Sequence, residues 1–370
     1  SPHKVPIEEL RGSPSALHNT KYKKELRKQM LNNEKPKECD YCWKVEDSNP
    51  ESFSDRIMKS GEGWAFPYFH GIKKSTALED VIPSYVEISF SNQCNMACGY
   101  CDVKSSSRWQ SEIENLGPYP TSIHYNNTEW MKNGEIYPIP YTQPNPYREA
   151  FWKWWPDLFP KLHTFRITGG EPLIQKDTFK VLDYIIDNPT INPQLELSVN
   201  SNLSGPQDLI DEFIDKIKYI CDKDLVWNFG LFTSIESWGK HAEYMRDGMD
   251  TDKFWSNCEN FLQRVPKGSL TLMSTYNATS VFSFDQVIER AADYKRRFYN
   301  GKRYRHYACM LDISFIRQPE FLQLRILPTD LLQKCHEHLA LMEKHSEEHY
   351  GNIFKHGHVG FYDFEREKMR

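Results

Sequence analysis

The sequence predicts an α/β protein built on a parallel sheet, and three observations carry that prediction. Beyond residue 85, short apolar runs alternate with helical runs in the order strand, helix, strand. The residues with chemistry in them fall where the apolar runs end, which is where parallel α/β architectures carry their sites. The composition, 39% hydrophobic and 26% charged over 370 residues, is that of a globular chain able to bury a sizeable core.

Residues 1–60 are polar and helix-prone, dense in Lys, Glu, Leu and Gln at 21–33, and lead to Cys39-Asp40-Tyr41-Cys42. They read as a small appended module. Residues 85–90 (Tyr-Val-Glu-Ile-Ser-Phe) read as the first strand, and a three-cysteine loop follows at once. Residues 102–150 break the rhythm with Pro118, Pro120, Pro138, Pro140, Pro144 and Pro146, which suits a long surface insertion. As a helix, the stretch after it sets Phe151, Trp154 and Trp155 on one face, predicted to be core. Residues 164–168 form a strand ending in Gly169-Gly170-Glu171-Pro172. Helices at 177–187, 206–219, 252–264 and 283–297 then alternate with strands at 195–199, 227–235 and 269–275.

Forty-six basic residues against 51 acidic ones give a net charge of −5 and a pI near 6.2, with a mean hydropathy of −0.69. That balance argues against a duplex-wrapping protein or a polybasic membrane-surface protein and disfavours nucleic acid as a partner. No run approaches the ~18 apolar residues of a membrane span, and no signal-peptide layout follows Ser1, so the expected location is cytoplasmic with no membrane partner. Ser1 in place of Met suggests a chain truncated upstream. Of nine cysteines, five crowd into two clusters, Cys39/Cys42 and Cys94/Cys98/Cys101, which in a cytoplasmic chain indicates metal rather than disulfides. Cys221, Cys258, Cys309 and Cys335 are dispersed and read as buried thiols. His18, His345, His349, His356 and His358 read as solvated.

Cys94-Asn95-Met96-Ala97-Cys98-Gly99-Tyr100-Cys101 spaces its thiols by four and then three residues. Such a loop can set three thiolates on three corners of an iron–sulfur cube and leave the fourth iron open. A zinc ligand set or three buried thiols are the alternatives. In Gly169-Gly170-Glu171, paired glycines leave the backbone open to a ligand and Glu171 offers an acceptor to an ammonium group; a plain turn is the other reading.

The cysteine loop resembles the CxxxCxxC signature of the radical S-adenosylmethionine (SAM) superfamily, and Thr168-Gly169-Gly170-Glu171-Pro172 resembles the family's GGE segment in the expected order. The resemblance implies a four-iron four-sulfur cluster on Cys94, Cys98 and Cys101. It places Tyr100 near the SAM adenine, and Gly169, Gly170 and Glu171 at the methionyl amino group. More loosely, Ser201 and Asn202 match a pair near the SAM ribose and carboxylate, Ser234 and Glu236 a segment meeting ribose hydroxyls, and Arg246 an arginine pairing with the SAM carboxylate. The implied fold is a partial (βα)6 TIM-like barrel at about 82–316, interrupted at 102–150, with the N-terminal module at 1–60 and a C-terminal helical extension at 317–370. Ser105 to Trp109 would form the mouth of the site and the insertion a lid over it.

Cys39-Asp40-Tyr41-Cys42-Trp43, with Glu46 and Ser54-Asp55-Arg56, resembles the end of a twitch module, a half-sized relative of the SPASM domain that holds an auxiliary iron–sulfur cluster. No further cysteine precedes Cys39, so the pair reads as a remnant or partial site, or as one borrowing ligands from the dispersed cysteines; a zinc half-site or a redox pair is the alternative. The implied activity is reductive cleavage of SAM to a 5′-deoxyadenosyl radical that abstracts hydrogen from a substrate. A peptide or protein side chain is the first substrate guess, and flavodoxin or ferredoxin the reducing partner. No residue stands out as a catalytic acid or base. The competing reading is a non-catalytic zinc or iron–sulfur scaffold, in which Gly170 and Glu171 would be dispensable.

Overall fold

A computed structural model describes residues 4–48, 54–120, 126–134, 136–299, 308–350 and 361–369, except the side chains of 347–350. His356 and His358 and the side chain of His349 lie outside it. The chain divides into two compact units, one of residues 1–86 with 143–165 and the other of 87–142 with 166–370. The boundary at 60 followed composition and those at 82 and 316 followed the family resemblance, whereas these units follow contacts.

The first unit is helical. Leu10, Ala16 and Ala150 form a small apolar cluster, and the Tyr147 hydroxyl donates to the Val5 carbonyl at 3.1 Å. The helix Pro146–Leu158, capped by Asn145, buries Phe151, Trp154 and Trp155, as its 3.6-residue period predicts. Trp155 lies 4.9 Å from Phe165 and 5.1 Å from Phe159, ring centroid to centroid, so one aromatic nest fixes this helix.

The second unit carries the sheet. The strands in chain order are β1 (Tyr85–Ser89), β2 (Ala97–Cys98), β3 (Thr164–Thr168), β4 (Glu196–Ser201), β5 (Asn228–Ser234), β6 (Arg246–Asp247), β7 (Ser269–Tyr276) and β8 (Cys309–Phe315). Six form one parallel sheet in the order β1-β3-β4-β5-β7-β8, so each new strand joins beside the last and intervening helices cover one face, in the manner of a partial barrel. Register aligns Asn200 with Phe232, Ser234 with Met273, and Met273 with Asp312, which places these side chains on the concave face. Leu197, Val199, Leu231 and Leu272 point the other way and are buried under helices. At the outer edge, the Leu311 amide donates to Glu365 at 2.7 Å, and Glu365 pairs with buried Lys295 at 2.9 Å, so the C-terminal helix Asp363–Glu367 covers β8.

Two expectations need correction. The described part of 102–150 is not a surface insertion throughout: the helix Ser107–Leu116 starts at a Ser106 cap and buries Trp109 and Ile113 with Ala97, Val103 and Met131. His345 is buried rather than solvated, 3.0 Å from Glu289, and His18 is half-buried. No helix among the described residues is long and apolar enough to cross a membrane.

Candidate active site

The cysteine loop leaves β1 and is held from three directions. Cys98 lies on β2, paired antiparallel with Arg246 on β6, and the Gly99 amide donates to the Met245 carbonyl at 2.7 Å. From the helix Ser107–Leu116, the Trp109 indole donates to the Cys98 carbonyl at 2.8 Å, Ser106 donates to the Met96 carbonyl at 2.6 Å, and the Ser107 hydroxyl accepts from the Cys94 amide at 3.1 Å. Ser106, Ser107 and Trp109 therefore clamp the loop, and Trp109 also lines a cavity beside Ala97 and Gly99. Cys98 is buried, and Cys94 and Cys101 are half-buried. Burial pushes the Cys94 and Cys101 thiols up to about 12 and raises Cys98.

This donor set fits an iron–sulfur cluster: three soft ligands on one short, braced loop, whose protons must leave when metal binds. Among the described residues no three His, Cys, Asp or Glu side chains converge on a point as a single ion requires. A cube holds its ligands at separate corners instead.

The Gly-Gly-Glu turn closes the third direction. Gly169 and Gly170 have φ of +77° and +54°, and added β-carbons would stand 1.8 Å from the Ser89 hydroxyl and 2.3 Å from the Gln93 carbonyl oxygen. The close approach is made at Gly169 by Ser89, the last residue of β1, and at Gly170 by Gln93, which leads into the cysteine loop. The Glu171 amide donates to the Gln93 carbonyl at 2.7 Å, and Gln175 donates to the same oxygen at 3.3 Å. The Glu171 carboxylate is buried, and accepts from the Leu173 amide at 3.0 Å, the Ser201 hydroxyl at 2.7 Å and the Asn202 amide at 2.6 Å. Burial still pushes it up to about 7.

Asn202 reaches on to the loop, donating to the Asn95 side chain at 2.8 Å, so the ends of β3 and β4 and the cysteine loop form one bonded network. Ser201 serves that network by holding Glu171. Ser234 lies at the end of β5 on the concave face.

Arg246 is buried and fully engaged. Its Nε and Nη2 donate to Glu236 at 3.0 and 2.8 Å, Nη2 reaches the Tyr100 hydroxyl, and Nη1 lies 3.7 Å from the Cys98 sulfur. Burial alone would lower its pKa, but the Glu236 carboxylate outweighs it and holds the guanidinium charged. The partner of this arginine is thus Glu236 rather than an open carboxylate position. Tyr100 donates to Glu236 at 3.2 Å, while the other Glu236 oxygen is buried with no donor.

Cys39 ends a single turn at Lys37–Cys39, and Cys42 follows in the helix Asp40–Ser48; both are half-buried, and burial raises Cys39. Arg56 stacks 4.3 Å over Trp43 and pairs with Glu46 at 2.7 Å. No third metal ligand joins the pair among the described residues. Cys221, Cys258 and Cys309 are buried core thiols, and Cys335 accepts from the Tyr276 hydroxyl at 3.6 Å.

Sequence reasoning missed Asn95 and Gln175, and placed Arg108 only within a candidate mouth; its guanidinium donates to the Asn95 carbonyl at 3.1 Å and pairs with Asp247 at 2.6 Å. A Ser cap followed by Trp109 and Ile113 four residues apart was a readable signal for the clamping helix. Asn95 offered none beyond its place inside the loop.

A family model described as the Radical SAM superfamily matches residues 88–287, more than half of the chain. No curated protein matches. Similar solved structures include SuiB of Streptococcus suis bound to S-adenosylmethionine, with 12% identity and a TM-score of 0.40, and SuiB bound to precursor peptide SuiA, with 11% and 0.39. Each alignment covers 86% of this chain and 58% of that one, so the chain spans less than two thirds of the proteins it resembles.

Proposed function

The chain belongs to the radical SAM superfamily, and from that premise we propose that it is a SAM-dependent enzyme in which Cys94, Cys98 and Cys101 hold the cluster and Gly169, Gly170 and Glu171 position SAM. When bound, a four-iron four-sulfur cluster with SAM supplies one electron for reductive C–S cleavage, giving the 5′-deoxyadenosyl radical that takes hydrogen from substrate. The protein's own part is to exclude water and hold geometry. Trp109 and Ser106 fix the loop backbone. Asn202 and Glu171 lock the turn beside it. Arg246, kept charged by Glu236, sets a cation 3.7 Å from the Cys98 sulfur, where it favours a thiolate over a thiol.

One observation carries the reading. The Glu171 amide donates to the Gln93 carbonyl at 2.7 Å, a contact across 78 residues that supports reading the two motifs as one site. A peptide or protein side chain is the proposed substrate and flavodoxin or ferredoxin the proposed donor. Substrate would lie on the concave face. The test is anaerobic reconstitution with iron and sulfide, iron counting, and EPR of the dithionite-reduced protein with and without SAM. About four irons per chain and a SAM-shifted signal are expected. Zinc in place of iron, with no response to SAM, would instead identify a scaffold.

A further inference from the structure

Arg166 lies on β3 between Phe165 and Ile167, both fully buried, so its side chain leaves the sheet on the concave face. There its Nε donates to the Asn200 side-chain oxygen at 2.9 Å, its Nη2 lies 3.8 Å from the Met273 sulfur, and its plane rests 4.3 Å over the Phe232 ring. Strands β4, β5 and β7 thus each give one residue to orient it.

None of the three is an anion. Among the described residues no carboxylate comes within ion-pairing distance of Arg166 and its Nη1 meets no protein acceptor, whereas Arg246 has Glu236 and Lys295 has Glu365. A half-buried guanidinium normally has a counter-ion, because withdrawing a charge from water without one is unfavourable. Here the ring face and the amide hold the group in one orientation and leave one edge open.

We propose that Arg166 and Asn200 grip a carboxylate of the substrate. The inference rests on the radical SAM reading, which makes the concave face the substrate chamber. A planar monoanion suits a single fork-shaped cation. Asn200 adds a second donor: among the described residues its Nδ2 meets only the Met273 sulfur, at 3.6 Å, a weak acceptor that a carboxylate oxygen would replace. A phosphate dianion would be left half-neutralised. Asp312, the charged neighbour in register with Met273, is itself paired with Lys368.

Position supports the assignment. Asn200 lies two residues before Asn202, which touches the cysteine loop, so the gripping layer sits about 7 Å below that loop along the strand at ~3.3 Å per residue. A carboxylate held on Arg166 would leave the carbons beyond it directed at the radical.

The test uses reconstituted holoprotein and two matched probes, the monoanion pentanoate and its uncharged analogue pentanamide, with binding read by isothermal titration and with inorganic phosphate and SAM as competitors. Pentanoate should bind about tenfold or more tightly than pentanamide, and Arg166→Met should remove that preference while circular dichroism and iron content stay unchanged. Asn200→Ala, which leaves the arginine in place, should weaken pentanoate binding by a smaller factor. Equal binding of the two probes, or an unchanged preference in Arg166→Met, overturns the proposal. Displacement of pentanoate by SAM also overturns it, since the site would then serve the methionyl carboxylate, and so does preferential binding of phosphate. SAM cleavage by the wild-type protein is measured in parallel. Cleavage without pentanoate selectivity removes only the substrate class, and selectivity without cleavage removes the radical reading.

Discussion

Cys98 is buried on a strand, with its carbonyl held by Trp109, its sulfur beside Arg246, and the entry to its loop at Gln93 pressed against Gly170 of a distant turn. Cys39 and Cys42 are half-buried at the start of a short helix, and the order around them comes from nearby segments, with Arg56 and Glu46 bracketing Trp43. The two clusters offer the same ligand atom in different settings. A metal site is made by the groups that hold its ligands as much as by the ligands, and only the first cluster has such groups converging from separate parts of the chain.

The largest effect expected from this contrast is on iron. Cys98→Ala should lose the cluster and with it all SAM cleavage. Cys39→Ala with Cys42→Ala should keep about four irons per chain and the SAM-shifted EPR signal. Loss of that signal in the double variant would put the N-terminal pair on the same footing as the loop and break the comparison.

The second effect is on the cradle rather than the ligands. Gly170→Ala would drive a β-carbon to 2.3 Å from the Gln93 oxygen at a φ of +54°, against backbone that has little room to shift. Strain and displacement together should lower stability by about 2–4 kcal/mol in urea unfolding and reduce iron uptake. In the helical unit, an added β-carbon at Gly12 meets nothing within 4 Å, and Gly12→Ala should move stability by no more than about 0.5 kcal/mol. Similar losses at both positions would mean the turn does not brace the loop.

What the sequence revealed of this machinery follows from the range of each interaction. Strands 164–168 and 269–275 were legible because apolar runs bounded by turns are local signals, and Cys94 to Cys101 because its ligands lie within eight residues. Strand β8 was not, since Met310, Asp312 and Ser314 on its concave face dilute the apolar run and its outer edge is satisfied by Glu365, far along the chain. The β2–β6 pair is two residues long on each side and exists only through tertiary contact. Arg246 was found as a residue type in the right place, but its pairing with Glu236 is a matter of rotamers that spacing does not encode.

A third prediction concerns Glu171. Glu171→Gln puts an NH2 group where Asn202 or Leu173 now donates an amide, and should cost about 1–3 kcal/mol and weaken SAM binding. Its carboxyl, pushed up to about 7 by burial, also binds a proton more tightly folded than unfolded. Its contribution to stability is therefore full below pH ~4.5 and fades as pH rises through 7, and the Gln variant should flatten that slope.

A fourth effect runs the other way and belongs to the helical unit. Burial, reinforced by Arg27 and Lys23, lowers His18 to about 4 from an ordinary value of 6.5. The folded state therefore takes up this proton less readily than the unfolded one, and stability falls as pH drops from about 6.5 toward 4, by at most about 3 kcal/mol. Between pH 4.5 and 6.5 the two residues thus give slopes of opposite sign, one from each unit. His18→Gln should remove the acid-side loss and leave the Glu171 slope intact, as followed by amide hydrogen exchange resolved to the two units. If acid destabilised the cysteine-loop amides before those of the helical unit, the weak point would lie in the barrel.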